Sequence, residues 1–113
     1  MKYQIADERR LRIIEEAGGD FIDDFVGLNK VCFCTREYLR RVLRNIFDNR
    51  AQHNPYLAIH LDEENHIYEG VKVNGWQTDH TQEPPVEFVE VEMAGISSSL
   101  QFAVNNIRSV LVC

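Results

Sequence analysis

The chain has 113 residues, 44% of them apolar and 27% charged, with a formal net charge of −6. That length supports one core, and that composition excludes a disordered tail, a collagen-like fibre and a coiled-coil rod. No run approaches the roughly 18 apolar residues of a membrane span. The start, Met1-Lys2-Tyr3-Gln4, has no apolar signal core, so the reading is a single domain, 1–113, in the cytoplasm.

In chain order, the first half, 1–54, reads as helical. Asp7 is placed to cap a helix that runs to about Ala17, with Leu11 and Ile14 facing inward and Gly18-Gly19 ending it. Asp20 is placed to cap a short second helix. There Phe21, Ile22, Phe25 and Val26 make one apolar stripe before Gly27. Val31-Cys32-Phe33-Cys34 is an apolar run that, if extended, puts both thiols on one face. Thr35 then caps the clearest helix, in which Leu39, Val42, Leu43, Ile46 and Phe47 recur at helical spacing.

The second half, 55–113, reads as strands. Leu57, Ile59 and Leu61 alternate, and so do Ile67, Val71 and Val73 across a polar loop from Asp62 to His66. Asn74-Gly75 is the strongest turn dipeptide, and 77–85 reads as a loop. Val86 to Met93 is a strand whose apolar phase slips between Phe88 and Val89, which predicts a bulge there. The last segment fits either a helix capped near Ser97 or two short strands around Asn105-Asn106; turn chemistry favours the strands. The predicted fold class is therefore α+β: about three N-terminal helices packed on a C-terminal antiparallel sheet of four to five strands.

Charge divides at the same place. Residues 1–54 carry ten basic and nine acidic side chains, a balance of +1; residues 55–113 carry two and nine, a balance of −7. Such asymmetry points to interaction surfaces and says nothing about fold. Arg36, Arg40 and Arg44, flanked by Arg41, form a row on the third helix. Guanidinium forks suit phosphates and carboxylates, so this row is the candidate anion- or ligand-binding set. Glu87, Glu90 and Glu92 project from the strand at 86–93 and, with Trp76, are the candidate partner-binding set. The basic helix can instead dock on the acidic sheet and neutralise it.

Catalytic signatures are missing. The four histidines have no paired metal-ligand spacing, and Cys32 and Cys34 have no second ligand pair. Three cysteines, an odd number, suit free thiols in a reducing compartment. The expectation is no enzyme, no metal and no cofactor.

Two resemblances add alternatives. Three helices followed by a hairpin resemble a winged helix-turn-helix domain, which implies DNA binding with Thr35–Phe47 as recognition helix and 57–73 as wing. The strand half resembles an Sm-like small barrel, with Gly70 as mid-strand glycine and Phe102–Ile107 as the strand–turn–strand end. The favoured function is a non-catalytic binding protein that engages a macromolecular partner, most readily a protein, through complementary charge, as an inhibitor, immunity-type protein or adaptor. The alternative is an oligomer, such as a homodimer, that binds a nucleotide-like ligand: Arg40 and Arg44 would hold phosphate and Trp76 or Tyr68 would stack on a base.

Overall fold

A computed structural model describes residues 1–113. It contains two α-helices, α1 (Glu8–Glu16) and α2 (Arg36–Asp48). It contains eight strands: β1 (Lys2–Ile5), β2 (Phe21–Val26), β3 (Asn29–Cys34), β4 (Leu57–Leu61), β5 (Ile67–Asp79), β6 (Val86–Met93), β7 (Ser99–Ala103) and β8 (Ile107–Val112). All eight join one mixed sheet in the order β2-β3-β1-β8-β4-β5-β6-β7. No helix is long and apolar enough to cross a membrane.

This corrects the expected fold of about three helices on four to five strands. The half expected to be helical contributes three strands. Phe21–Val26 is a strand, because Gly27-Leu28 folds it back in register onto β3 from Phe21↔Cys34 to Val26↔Asn29. Gly27 sits at φ +62° as the first of two turn residues, a conformation that favours glycine. With that segment extended, the three-helix scaffold of a winged helix is absent.

Both helices begin where their capping residues predict. The Asp7 carboxylate accepts the Arg10 backbone N–H at 2.8 Å, and the Thr35 hydroxyl oxygen accepts that of Tyr38 at 3.2 Å. The helices lie on opposite faces. Strand alternation turns Tyr3, Ile5, Cys32 and Cys34 to one face and Lys2, Gln4, Val31 and Phe33 to the other. Helix α2 packs on the first face. There Leu39 and Leu43 join Cys34, Leu57, Ile59, Val71, Val73, Val89, Val91 and Val110 in the core. Helix α1 lies against β2 and β3 on the second face, where its Arg10 guanidinium stacks on Phe33.

Strands β4 to β8 curl. In a flat sheet β7 and β8 would stand four strands apart, about 19 Å. Only the 3-10 turn Val104–Asn106 joins them, and three such residues advance about 6 Å. The sheet must therefore bend round until β7 meets the start of β8, enclosing the core. The ambiguous tail is thus two strands around a turn at 104–106. Asn74-Gly75 makes no hairpin: β5 runs through it, and the register shifts between Val73 and Gly75. The bulge predicted in β6 lies instead in its partner. A second irregularity in β5 holds Gly70 at φ +65°, and in β8 the register shifts at Arg108.

Candidate functional site

The arginines of α2 are each paired with an acidic side chain. Arg40 makes a two-pronged contact with Glu87 of β6: its Nε donates to Oε1, and its Nη2 donates to Oε2 at 2.8 Å. The Trp76 indole N–H donates to the same Oε2 at 3.1 Å. Arg40 therefore holds the Glu87 carboxyl below its ordinary range, with Trp76 adding to the effect. Arg44 pairs with Asp48 at 3.1 Å and lies over the rings of Phe47 and Trp76. Arg41 pairs with Asp20 at 3.0 Å. Four residues singled out from sequence, Arg40, Arg44, Trp76 and Glu87, thus meet at one junction between α2, β5 and β6, where they serve one another. Tyr68 is elsewhere, packed on Phe102 with its hydroxyl donating to Glu64.

The other two carboxylates part from Glu87. Alternation along β6 turns Glu87, Val89 and Val91 toward α2 and sends Glu90 and Glu92 to the opposite face. Glu90 lies beside Gly75 and within 3.5 Å of the Gln77 amide, and Glu92 is paired in register with Lys72.

A groove of about 1090 Å³ lies on the face opposite α2. Its floor is β3, β1 and β8, through Val31, Phe33, Lys2, Gln4 and Leu111. One wall is the start of α1 with Asp7 and Arg10; the other is the turn after β4 with Asp62 and Glu63. Arg36, at the first turn of α2, reaches this wall: Nη1 donates to the Ile107 carbonyl at 3.1 Å and Nη2 donates to the Asp62 carboxylate. Arg108, aimed there by the irregularity in β8, stands 3.6 Å from the same Asp62.

The cations of the groove are unequally engaged. Arg10 is held by Asp7 at 2.7 Å and Asp24 at 3.1 Å, with its plane on the Phe33 ring. Lys30 borders the groove but turns its ammonium toward Asp23 at 3.6 Å. Arg36 and Arg108 share the single carboxylate of Asp62. Lys2 forms no ion pair. Lys2, Arg36 and Arg108 therefore face two carboxylates on this wall, Asp62 and Glu63, and Lys2 keeps no ion-pair partner, a surplus available to an external anion. Of the residues singled out from sequence, only Arg36 belongs to this groove. Lys2 and Arg108 carried no local signal, because the tertiary fold brings them together from opposite ends of the chain.

Neither buried thiol is activated. Burial pushes Cys34 to about 12 and, with the neighbouring Asp23 carboxylate, Cys32 to about 11. No three His, Cys, Asp or Glu side chains gather as a set of metal ligands. Comparisons with protein-family models, curated proteins and solved structures return no match.

Proposed function

We propose that this chain is a non-catalytic binding protein that engages a macromolecular partner through complementary charge, as an inhibitor, immunity-type protein or adaptor does. The observation that carries this reading is the surplus of cations in the groove, where Arg36 and Arg108 share the carboxylate of Asp62 and Lys2 forms no ion pair. A preformed concavity with unspent donors steers and selects an anionic surface. The junction of Arg40, Arg44, Trp76 and Glu87 supports a structural role instead, since its donors already have acceptors. A cytoplasmic location suits the three free thiols.

The test is capture of partners from the source cells on immobilised protein at low and moderate salt. Lys2→Glu with Arg108→Glu should lose the salt-sensitive partner, and Glu90→Lys with Glu92→Lys should keep it. The reverse pattern would move the contact to the acidic face, and retention by both variants would remove charge complementarity as the mechanism.

A further inference from the structure

We infer that the groove takes an extended peptide segment of a protein partner that turns both acidic and large apolar side chains toward the floor. This rests on the reading above and gives its site a ligand chemistry. Pairing across the floor sets Val31 of β3, Lys2 of β1 and Leu111 of β8 side by side, an apolar, cationic and apolar row. Strands stand about 4.8 Å apart, so the chemistry of the floor changes at every strand. Beside that row, Val26 ends β2 and Met1 precedes β1. Met1, Val26 and Leu111 remain 55%, 53% and 41% exposed, so apolar surface lies open within a cationic concavity. The Arg36 and Arg108 pair stands toward the opposite wall. A ligand that satisfies both features carries carboxylates for Lys2 and Arg108 and apolar side chains for Met1, Val26 and Leu111.

The acids of the groove choose between peptide and nucleic acid. Asp7, Asp62 and Glu63 also line it. A polyphosphate backbone is charged at every unit and would set phosphates against those carboxylates. A peptide places its negative groups only where cations stand, and repulsion elsewhere sharpens the selection. The floor strands are each paired on both sides, so no sheet edge is offered to the ligand. Recognition therefore runs through side chains, and sequence pattern governs affinity more than backbone pairing does.

The experiment measures fluorescence anisotropy of labelled peptides of about 12 residues on the full chain. The probes are repeats of Asp-Asp-Leu-Leu (Asp-Leu), which put acid and apolar groups in turn on each face of an extended chain, the corresponding Asp-Asp-Ser-Ser (Asp-Ser) and Lys-Lys-Leu-Leu (Lys-Leu) repeats, and an oligothymidylate of equal length. The Asp-Leu peptide should bind about tenfold or more tightly than Asp-Ser, and Lys-Leu and the oligonucleotide should not compete. Lys2→Gln with Arg108→Gln should weaken Asp-Leu about tenfold while the melting temperature holds. Leu111→Asn, at an exposed position, should weaken Asp-Leu and leave Asp-Ser unchanged. Equal binding of Asp-Leu and Asp-Ser, tighter binding of the oligonucleotide, or indifference to both variants overturns the inference. If the peptides fail yet charge reversal still removes a cellular partner, this inference falls and the proposed function stands; if both fail, both fall.

Discussion

Replacing Glu87 with Gln keeps the shape of the junction between α2 and β6 and removes its charge. The carboxylate accepts two bonds from Arg40 and one from the Trp76 indole. Bonds to a charged group contribute about 1.5–3 kcal/mol, roughly twice a neutral bond. The amide keeps one acceptor. The Arg40 side chain is 34% exposed, so water recovers part of the loss. The expected cost at neutral pH is therefore about 1.5 kcal/mol, or roughly 6 °C in melting temperature for a domain of this size. Acid should erase the difference. The folded carboxyl titrates below its ordinary value of 4.5, so its contribution is complete above that value and is lost as pH falls through the lower folded one. Urea unfolding at about pH 7 and pH 3 measures both deficits. An equal deficit at the two pH values refutes the argument. So does strict additivity of Glu87→Gln and Arg40→Met in a double-mutant cycle, because a shared contact must couple them.

Two more outcomes follow from burial. In the folded protein only Cys113 should react promptly with a thiol reagent, because Cys32 and Cys34 are buried and their thiols are pushed to about 11 and 12; prompt reaction of three thiols at neutral pH would contradict the packing of β3 against α2. Leu43→Ala removes a fully buried side chain from the interface of α2 with the sheet and should cost about 2–5 kcal/mol in chemical denaturation; a loss below about 1 kcal/mol would mean that α2 does not seal the core.

Legibility in the sequence followed the range of the signal. Asp7 and Thr35 announce their helices because a cap acts within one turn, and Gly18 ends α1 at φ +69°. Leu39, Leu43, Ile46 and Phe47 announce α2 because apolar residues at helical spacing over more than two turns leave one buried face. Phe21–Val26 misleads because six residues are too few to separate a helical stripe from an edge strand. β1 goes unread because four residues carry no period, and its partners, Val31 to Cys34 and Ser109 to Leu111, lie far along the chain. Asn74-Gly75 has the chemistry of a hairpin turn, but the pairing of β5 with β6 continues past it and turns it into an irregularity within the strand.

The charge of −6 behaves the same way. Composition and spacing are local facts, so the gathering of arginines on a helix and of carboxylates on strands is legible along the chain. Which charges meet was decided only by the tertiary structure. Alternation along β6 aimed Glu87 at Arg40 and turned Glu90 and Glu92 away. Arg41 went to Asp20 and Arg44 to Asp48, so most of the row became internal ties for α2. Lys2 and Arg108, unremarkable in sequence, came to share a groove with Arg36 because β1 and β8 pair across nearly the whole length of the chain. Non-local pairing carries no local signature, so the surface left over for a partner was settled by the fold and not by the distribution of charge along the chain.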